Sequence, residues 1–300
     1  MRITNRMLAE NSIGYMSDGL EQLSELQTRV ATGKVIQTPA DNPTVAVASL
    51  SMRSTLATNQ AYLDTSYVTR DWLNANELAL KDLVDIGARA HTLTLPGLSD
   101  TLGVAERDAL AQEVAGILQH AVDVGNTKHQ DKYIFAGFEV NTQPYTLDTT
   151  NPLAPVVVEN FTAPTGQMRQ SIAPSQTMQV NVNPETALTP FLDALAGVYT
   201  QLAAPVFNRA GLQTALDTLY TEITGVKDAR TTNGARQHQL QTEMDRLEQT
   251  KVALKNLLTH KEDVNMAEAI SLLKHQETVY QTVLQVGSKS VTQSLFDYLR

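Results

Sequence analysis

The sequence predicts a mainly α fold: a long helical rod with coiled-coil N- and C-terminal helices and a small β-rich insert. Three observations carry that prediction. Six of the 11 prolines (Pro144, Pro152, Pro155, Pro164, Pro174 and Pro184) fall between Asn141 and Glu185. None lies between Pro43 and Pro96 and none follows Pro205, so those stretches are free of a residue that costs ~3 kcal/mol inside a helix. Apolar residues recur in steps of three and four near both chain ends. Aromatics make up only 5% of the chain, with one Trp, so the core must rest on Leu, Val, Ile and Ala, as helix-on-helix packing does.

The first helix is expected to present Ile13, Met16, Leu20, Leu23 and Val30, with Gln27 filling one seam position and Gly33 ending it. Thr38 to Pro43 then reads as a turn, with Asn42 as N-cap and Pro43 at the first helical position. Helical periodicity runs on from Pro43 to about Leu95, with Leu56, Leu63, Leu73, Leu80 and Val84 on one side. At 1.5 Å per residue such a helix would be about 75–80 Å long, which points to a rod. After a break at Pro96-Gly97, a further helix is predicted from Val104 to Lys128 on Leu110, Val114, Ile117, Ala121 and Val124.

From Lys132 to Pro184 the character changes. Tyr133 to Phe138, Val156 to Val158 and Met178 to Val182 have strand composition, separated by Thr, Asn, Pro and Gly turn residues. A small β-rich insert is the natural reading, and a disordered linker is the other. Helices return at Phe191, Leu192 and Leu195, then at Leu212, Leu216, Leu219 and Ile223. A final helical block starts near Ala229. Its first seam is Leu240, Met244, Leu247, Leu254 and Leu258, with Lys251 in one slot. Its second is Met266, Ile270, Leu273, Tyr280, Leu284 and Val291, interrupted by Glu277 and Gly287. Polar His260 to Asp263 separates the two. The expected division is therefore 1–40 with 260–300 as a terminal coiled coil, 41–140 with 186–259 as a helical rod, and 141–185 as the insert.

Composition removes several function classes. The net charge is −9 with no basic stripe, which argues against nucleic acid and against an anionic lipid surface. Absence of cysteine excludes disulfides, thiolate metal sites and thiol nucleophiles. No run reaches the ~18–20 apolar residues of a membrane span, and no conventional signal peptide is expected after Met1-Arg2-Ile3-Thr4. No nucleotide-loop, zinc-hydrolase or serine-nucleophile motif is present. His120 with Asp123 and His129 with Asp131 fit no metal-ligand template. Glu21, Glu25, Glu262 and Asp263 read as exposed faces. Neither an enzyme, a cofactor nor a metal is expected.

Particular residues narrow the reading. Arg2 to Asn5, then Leu26 to Ile36 through Gly33, then Pro39-Ala40-Asp41-Asn42-Pro43 resembles the N-terminal signature of the flagellin superfamily. Asn126-Thr127-Lys128, followed by Tyr133-Ile134-Phe135-Ala136-Gly137-Phe138, is similar to a hallmark of one branch, the flagellar hook-associated protein 3 (hook–filament junction) family. Gly234-Ala235-Arg236 and the ending from Ser294 to Arg300 through Leu295 also resemble it. Asn42, Lys132 and Asn265 depart from the family's commoner residues, at capping and surface positions.

The resemblance implies a structural, secreted subunit of the bacterial flagellum, with its termini innermost. It implies export through the flagellar type III apparatus without a cleaved signal, escorted by a chaperone on the C-terminal region. It implies a ring of copies between a neighbouring hook-associated junction protein and flagellin. The terminal seams, from Ile13 to Val30 and from Met266 to Leu295, are then the expected assembly interface. A lone terminal helix is marginal in water, so both ends are expected to order on assembly. A short flagellin-like filament subunit is the alternative within the superfamily. A coiled-coil signalling or chaperone module is the alternative outside it.

Overall fold

The computed structural model describes residues 5–99, 101–151, 153–161 and 166–298, with side chains from 289 onward and at Asn5, Arg6, Leu8 and Ala9 outside that description. The fold is mainly α. Helix α1 spans Asn5–Thr32, α2 Pro43–Thr94, α3 Val104–Gly125, α4 Pro184–Ala187, α5 Thr189–Leu202, α6 Arg209–Glu262 and α7 Met266–Tyr298. Among the described residues, three antiparallel strand pairs lie between α3 and α4: β1 (Lys128–His129) with β2 (Lys132–Tyr133), β3 (Tyr145–Asp148) with β4 (Val156–Glu159), and β5 (Arg169–Ala173) with β6 (Gln176–Gln179). The chain forms two compact units, residues 1–58 with 250–300, and residues 59–249.

The start of α2 follows its sequence signals. The Asn42 side-chain oxygen accepts the Val45 amide at 3.2 Å, and Pro43 occupies the first helical position, where its missing N–H costs nothing. A short 3-10 turn, Leu95–Leu98, forms at the predicted break. Helix α3 ends at Gly125, three residues before the expected Lys128, because Asn126 leaves the helical register and holds the next segment. Its side chain accepts the Tyr145 amide at 3.0 Å and donates to the Tyr145 carbonyl at 2.9 Å.

The second unit packs the predicted stripes into one core. Leu73 and Leu80 of α2 are buried with Val114, Ile117, Ala121 and Val124 of α3, Phe191, Leu192 and Leu195 of α5, and Leu212, Leu216, Leu219 and Ile223 of α6, while Leu63 of α2 is buried apart from that cluster. Gly87 permits a close approach there, since a Cβ would stand 2.7 Å from both Phe191 and Ile223 side chains. Polar side chains stitch the seam. Asn59 donates to the Leu247 carbonyl at 2.8 Å, and Asn233 to that of Leu73 at 3.0 Å. Arg230 pairs with Glu77 at 2.6 Å. Buried amides of this kind cost stability and specify register.

Two expectations are corrected here. The helix begun at Leu212 and the block expected from Ala229 are one helix, α6, which passes Gly225 and Gly234 without a break because its buried face is continuous. Tyr133 to Phe138 is not a strand beyond Tyr133. Ile134, Phe135 and Ala136 are buried in turns and plug the core, and Gly137 takes φ +59°. The strand-like composition reflected burial. The two-residue loop of the β1–β2 hairpin, Gln130-Asp131, has φ +49° and +62°, as a primed turn requires. Of the expected insert strands, Val156 to Val158 lies in β4, and β6 stops at Gln179, short of Val182. Tyr145, Ile172 and Met178 join the same core as the helices.

Candidate assembly site in the terminal helices

The first unit brings the two chain ends together. Helices α1 and α7 run antiparallel: Gln276 donates to Gln22 at 3.0 Å, and Tyr280 lies against Gly19, where a Cβ would stand 3.2 Å from its ring. A Cβ on Gly287 would collide with Met16. Large residues thus fill spaces that glycines leave on the facing helix.

Burial identifies the paired columns. On α1 the shielded apolar and small positions are Ser12, Met16, Gly19, Leu23, Leu26 and Val30, with Arg29 half-buried beside the last; on α7 they are Ala269, Leu273, Gln276, Tyr280, Val283 and Gly287. Both sets advance by four and three, a heptad seam. Of the sequence-predicted positions, Met16, Leu23, Val30, Leu273 and Tyr280 therefore face the partner helix. Ile13 (63% exposed), Leu20 (53%), Ile270 (40%) and Leu284 (41%) do not, and Met266 is also exposed. The side chains of Asn5, Val291 and Leu295 lie outside the described residues.

The interruptions move as well. Gln27 and Glu277, expected within the seam, are exposed and share the outer columns of Ile13 and Leu20 and of Ile270 and Leu284. Gly287, expected to break the seam, is a buried member of it. Lys251, half-buried on α6, is not part of either outer column.

A polar clasp closes the hairpin. Gly33 takes φ +69° and ends α1, its amide donating to the Arg29 carbonyl at 2.9 Å. The Val264 amide donates to the Gly33 carbonyl at 2.9 Å, and the Val35 amide to the Glu262 carbonyl at 2.7 Å. Glu262 was expected on an exposed face, but it is buried. Its carboxylate accepts Arg53 at 2.6 and 3.2 Å and Lys34 at 3.2 Å, while Lys34 also meets Asp263 at 2.5 Å. The Arg53 hydrogen bonds, joined by Lys34, hold the Glu262 carboxyl down at about 2, against an ordinary 4.5. One acidic side chain ties the loop after α1, the first turns of α2 and the end of α6. Sequence reasoning missed it because its partners lie 209 and 228 residues away. The one available signal was an acidic pair at the polar break between two seams.

The motif residues shape the loop beside the clasp. The Asp41 carboxylate accepts the Gln37 amide at 2.8 Å, the Thr38 amide at 2.9 Å and the Thr38 hydroxyl at 2.7 Å. These bonds, Thr38 first, hold its carboxyl below the usual range. Pro39 and Pro43 line a cleft of about 480 Å³ with Ile36, Val47 and Leu50. Tyr133, Phe135 and Gly137, by contrast, sit in the second unit. His120 lines a shallow cleft with Arg89 and Glu113, and His129 stacks edge-on against Trp72.

An apolar helix hairpin made from both chain ends can now be set beside known proteins. The family model described as the bacterial flagellin N-terminal helical region matches residues 3–139, and that of the bacterial flagellin C-terminal helical region matches residues 216–299. Together they take in well over half of the sequence. The chain belongs to the flagellin family. It is 23% identical over 146 residues to flagellar hook-associated protein 3 of Salmonella typhimurium, covering 48% of this chain and 46% of that protein. It thus spans about half the length of the curated relatives it matches. Among solved structures, FlgL of Bacillus cereus is similar with a TM-score of 0.59 at 22% identity, covering 70% of this chain and 99% of that one. The flagellar junction protein FlgL of Legionella pneumophila is similar with a TM-score of 0.51 at 14% identity, covering 63% and 98%. At these identities the structures speak to the fold. The family is a structural one of the bacterial flagellum, and the chain's likeness within it is to hook-associated proteins.

Proposed function

We propose that this chain is the structural subunit of the hook–filament junction, joining a neighbouring hook-associated protein to flagellin through a ring of its own copies. The observation that carries the reading is the pairing of the two chain ends into one hairpin whose outer columns remain apolar and exposed at Ile13, Leu20, Ile270 and Leu284. A hairpin that has satisfied its own seam yet keeps a second apolar face is built to bury that face on something else. The similarity to hook-associated proteins supports the flagellum as the place. Export without a cleaved signal, and a chaperone on the C-terminal region before assembly, belong to the same reading. They agree with a surface that would otherwise expose apolar residues in transit.

The test is a strain lacking this chain. Hooks without filaments, with flagellin shed to the medium, are expected, and normal filaments would refute the proposal. The flagellin family match keeps a second reading in play, a short filament subunit. That reading predicts that the purified chain polymerises alone into long filaments.

A further inference from the structure

The cleft beside the clasp lies wholly within the first unit and joins two kinds of surface. Its walls are apolar: Ile36, Pro39 and Pro43 from the loop, with Val47 and Leu50 of α2, the last two 69% and 70% exposed. Its charged lining is two cations and one carboxylate, Lys34, Arg53 and Glu262, in a chain whose net charge is −9. Glu262 takes one edge of the Arg53 guanidinium, with Nε at 3.2 Å and Nη2 at 2.6 Å. Among the described residues Nη1 has no hydrogen-bond partner, so the fork of Nη1 and Nη2 remains open on a half-exposed side chain. The cleft is also rigid before anything enters it. Three hydrogen bonds to Asp41 pin the loop, two prolines restrict its backbone, and Glu262 fixes the guanidinium plane. A ligand therefore meets little ordering cost. A volume of about 480 Å³, mostly apolar walls and a few placed polar groups are the features of a ligand site.

We propose that this cleft receives a segment of another protein in which a large apolar side chain is followed, one or two residues on, by a carboxylate. The apolar side chain is buried against Pro39, Pro43, Val47 and Leu50, and the carboxylate takes the open fork of Arg53. A carboxylate is selected over an amide because its two oxygens match the fork and the bonds are charge-assisted. A basic segment is disfavoured, since Lys34 and Arg53 outnumber Glu262 in the lining. The joining role put forward above is the reason such a partner is met, whereas the binding itself is a property of the chain alone.

The test is a titration of the isotope-labelled full-length chain with the synthetic peptide Gly-Ser-Gly-Leu-Asp-Gly-Ser-Gly, read by NMR at the Val47 and Leu50 methyls and the Arg53 side chain. Saturable shifts at these groups in the millimolar range are expected. Replacing the peptide's Asp by Asn, or its Leu by Ser, should weaken binding by about ten-fold or more. Leu50→Ser, an exposed position outside the clasp, should weaken the Leu-Asp and Leu-Asn peptides alike, by about five-fold. Arg53→Lys should weaken the Leu-Asp peptide alone, because it keeps a cation beside Glu262 and loses the fork. Equal affinity for the Leu-Asp and Leu-Asn peptides overturns the carboxylate site, and binding unchanged by Leu50→Ser overturns the cleft. Absence of saturable shifts overturns the proposal as a whole. Shifts that follow chain concentration without peptide give the cleft to a second copy, and overturn it too. Each of these failures leaves the junction role to the deletion strain described above, and a normal filament in that strain leaves the peptide result standing.

Discussion

Replacing Glu262 with Gln tests the clasp on its own terms. The Glu262 carboxyl is held at about 2, against an ordinary 4.5, chiefly by Arg53 and then by Lys34. At ~1.4 kcal/mol per unit such a shift has a ceiling of ~3 kcal/mol. Arg53 and Lys34 are 60% and 40% exposed, however, and screening by water brings the expected loss to about 1–2 kcal/mol. A carboxyl with a lowered folded-state pKa contributes stability that is present above its unfolded value and lost as pH falls through the folded one. The penalty of Glu262→Gln should therefore be full at pH 7, shrink below about pH 4.5 and vanish near pH 2. Hydrogen exchange at the Val35 and Val264 amides reads the clasp directly, because each bonds across it. At pH 7 the variant should exchange at both about 5- to 30-fold faster than the parent chain, the equivalent of 1–2 kcal/mol of local opening. Equal exchange at pH 7, or a gap that persists below pH 2, would refute the reasoning.

Other perturbations follow from packing. Gly87→Ala forces a methyl to within 2.7 Å of Phe191 and Ile223, and overpacking should lower stability by about 1–3 kcal/mol in a urea melt. Gly33→Ala must hold φ +69° with a side chain, at a cost of roughly 1–2 kcal/mol, and should loosen the same two clasp amides without changing the second unit. Gly287→Val would displace the flexible end of Met16 and should loosen the α1–α7 seam locally, seen as faster exchange near Met16 and Gly287 and not along both helices. Asn233→Ala removes the bond to the Leu73 carbonyl and should cost about 0.5–1.5 kcal/mol in thermal unfolding.

Much of the fold was legible because long helices advertise themselves. The Asn42-Pro43 start, the Gly33 stop, the Pro96-Gly97 break and the core stripes of α3 and α6 all follow from local chemistry. The seam of α1 and α7 did not, for a physical reason. Glycine at positions 19 and 287 lies in the interface because Tyr280 and Met16 fill the space opposite, whereas a pattern search counts glycine as an interruption. The next column then looks like the seam because Ile13, Leu20, Ile270 and Leu284 are larger. The misplacement made Gln27 and Glu277 look like flaws in an internal interface, when they stand outside it.

The ends were expected to order only on assembly, since a lone amphipathic helix lacks a partner. The α1–α7 pairing supplies one within the chain. The insert was harder still. Ile134 to Ala136 has strand composition but is shaped by turns, and β3 and β5 carry no alternation strong enough to mark them. Glu262 was illegible because nothing in sequence joins it to Arg53 and Lys34.

The most direct measurement of the central claim is a capping assay. Purified chain is added to hook fragments that already carry the neighbouring hook-associated protein, flagellin monomers follow, and filament growth is scored by electron microscopy. Growth only from hooks that received the parent chain, and its loss when Ile13 and Leu20 are both serine, is the expected result. Bare hooks with the parent chain, or filaments built from this chain alone, would contradict it.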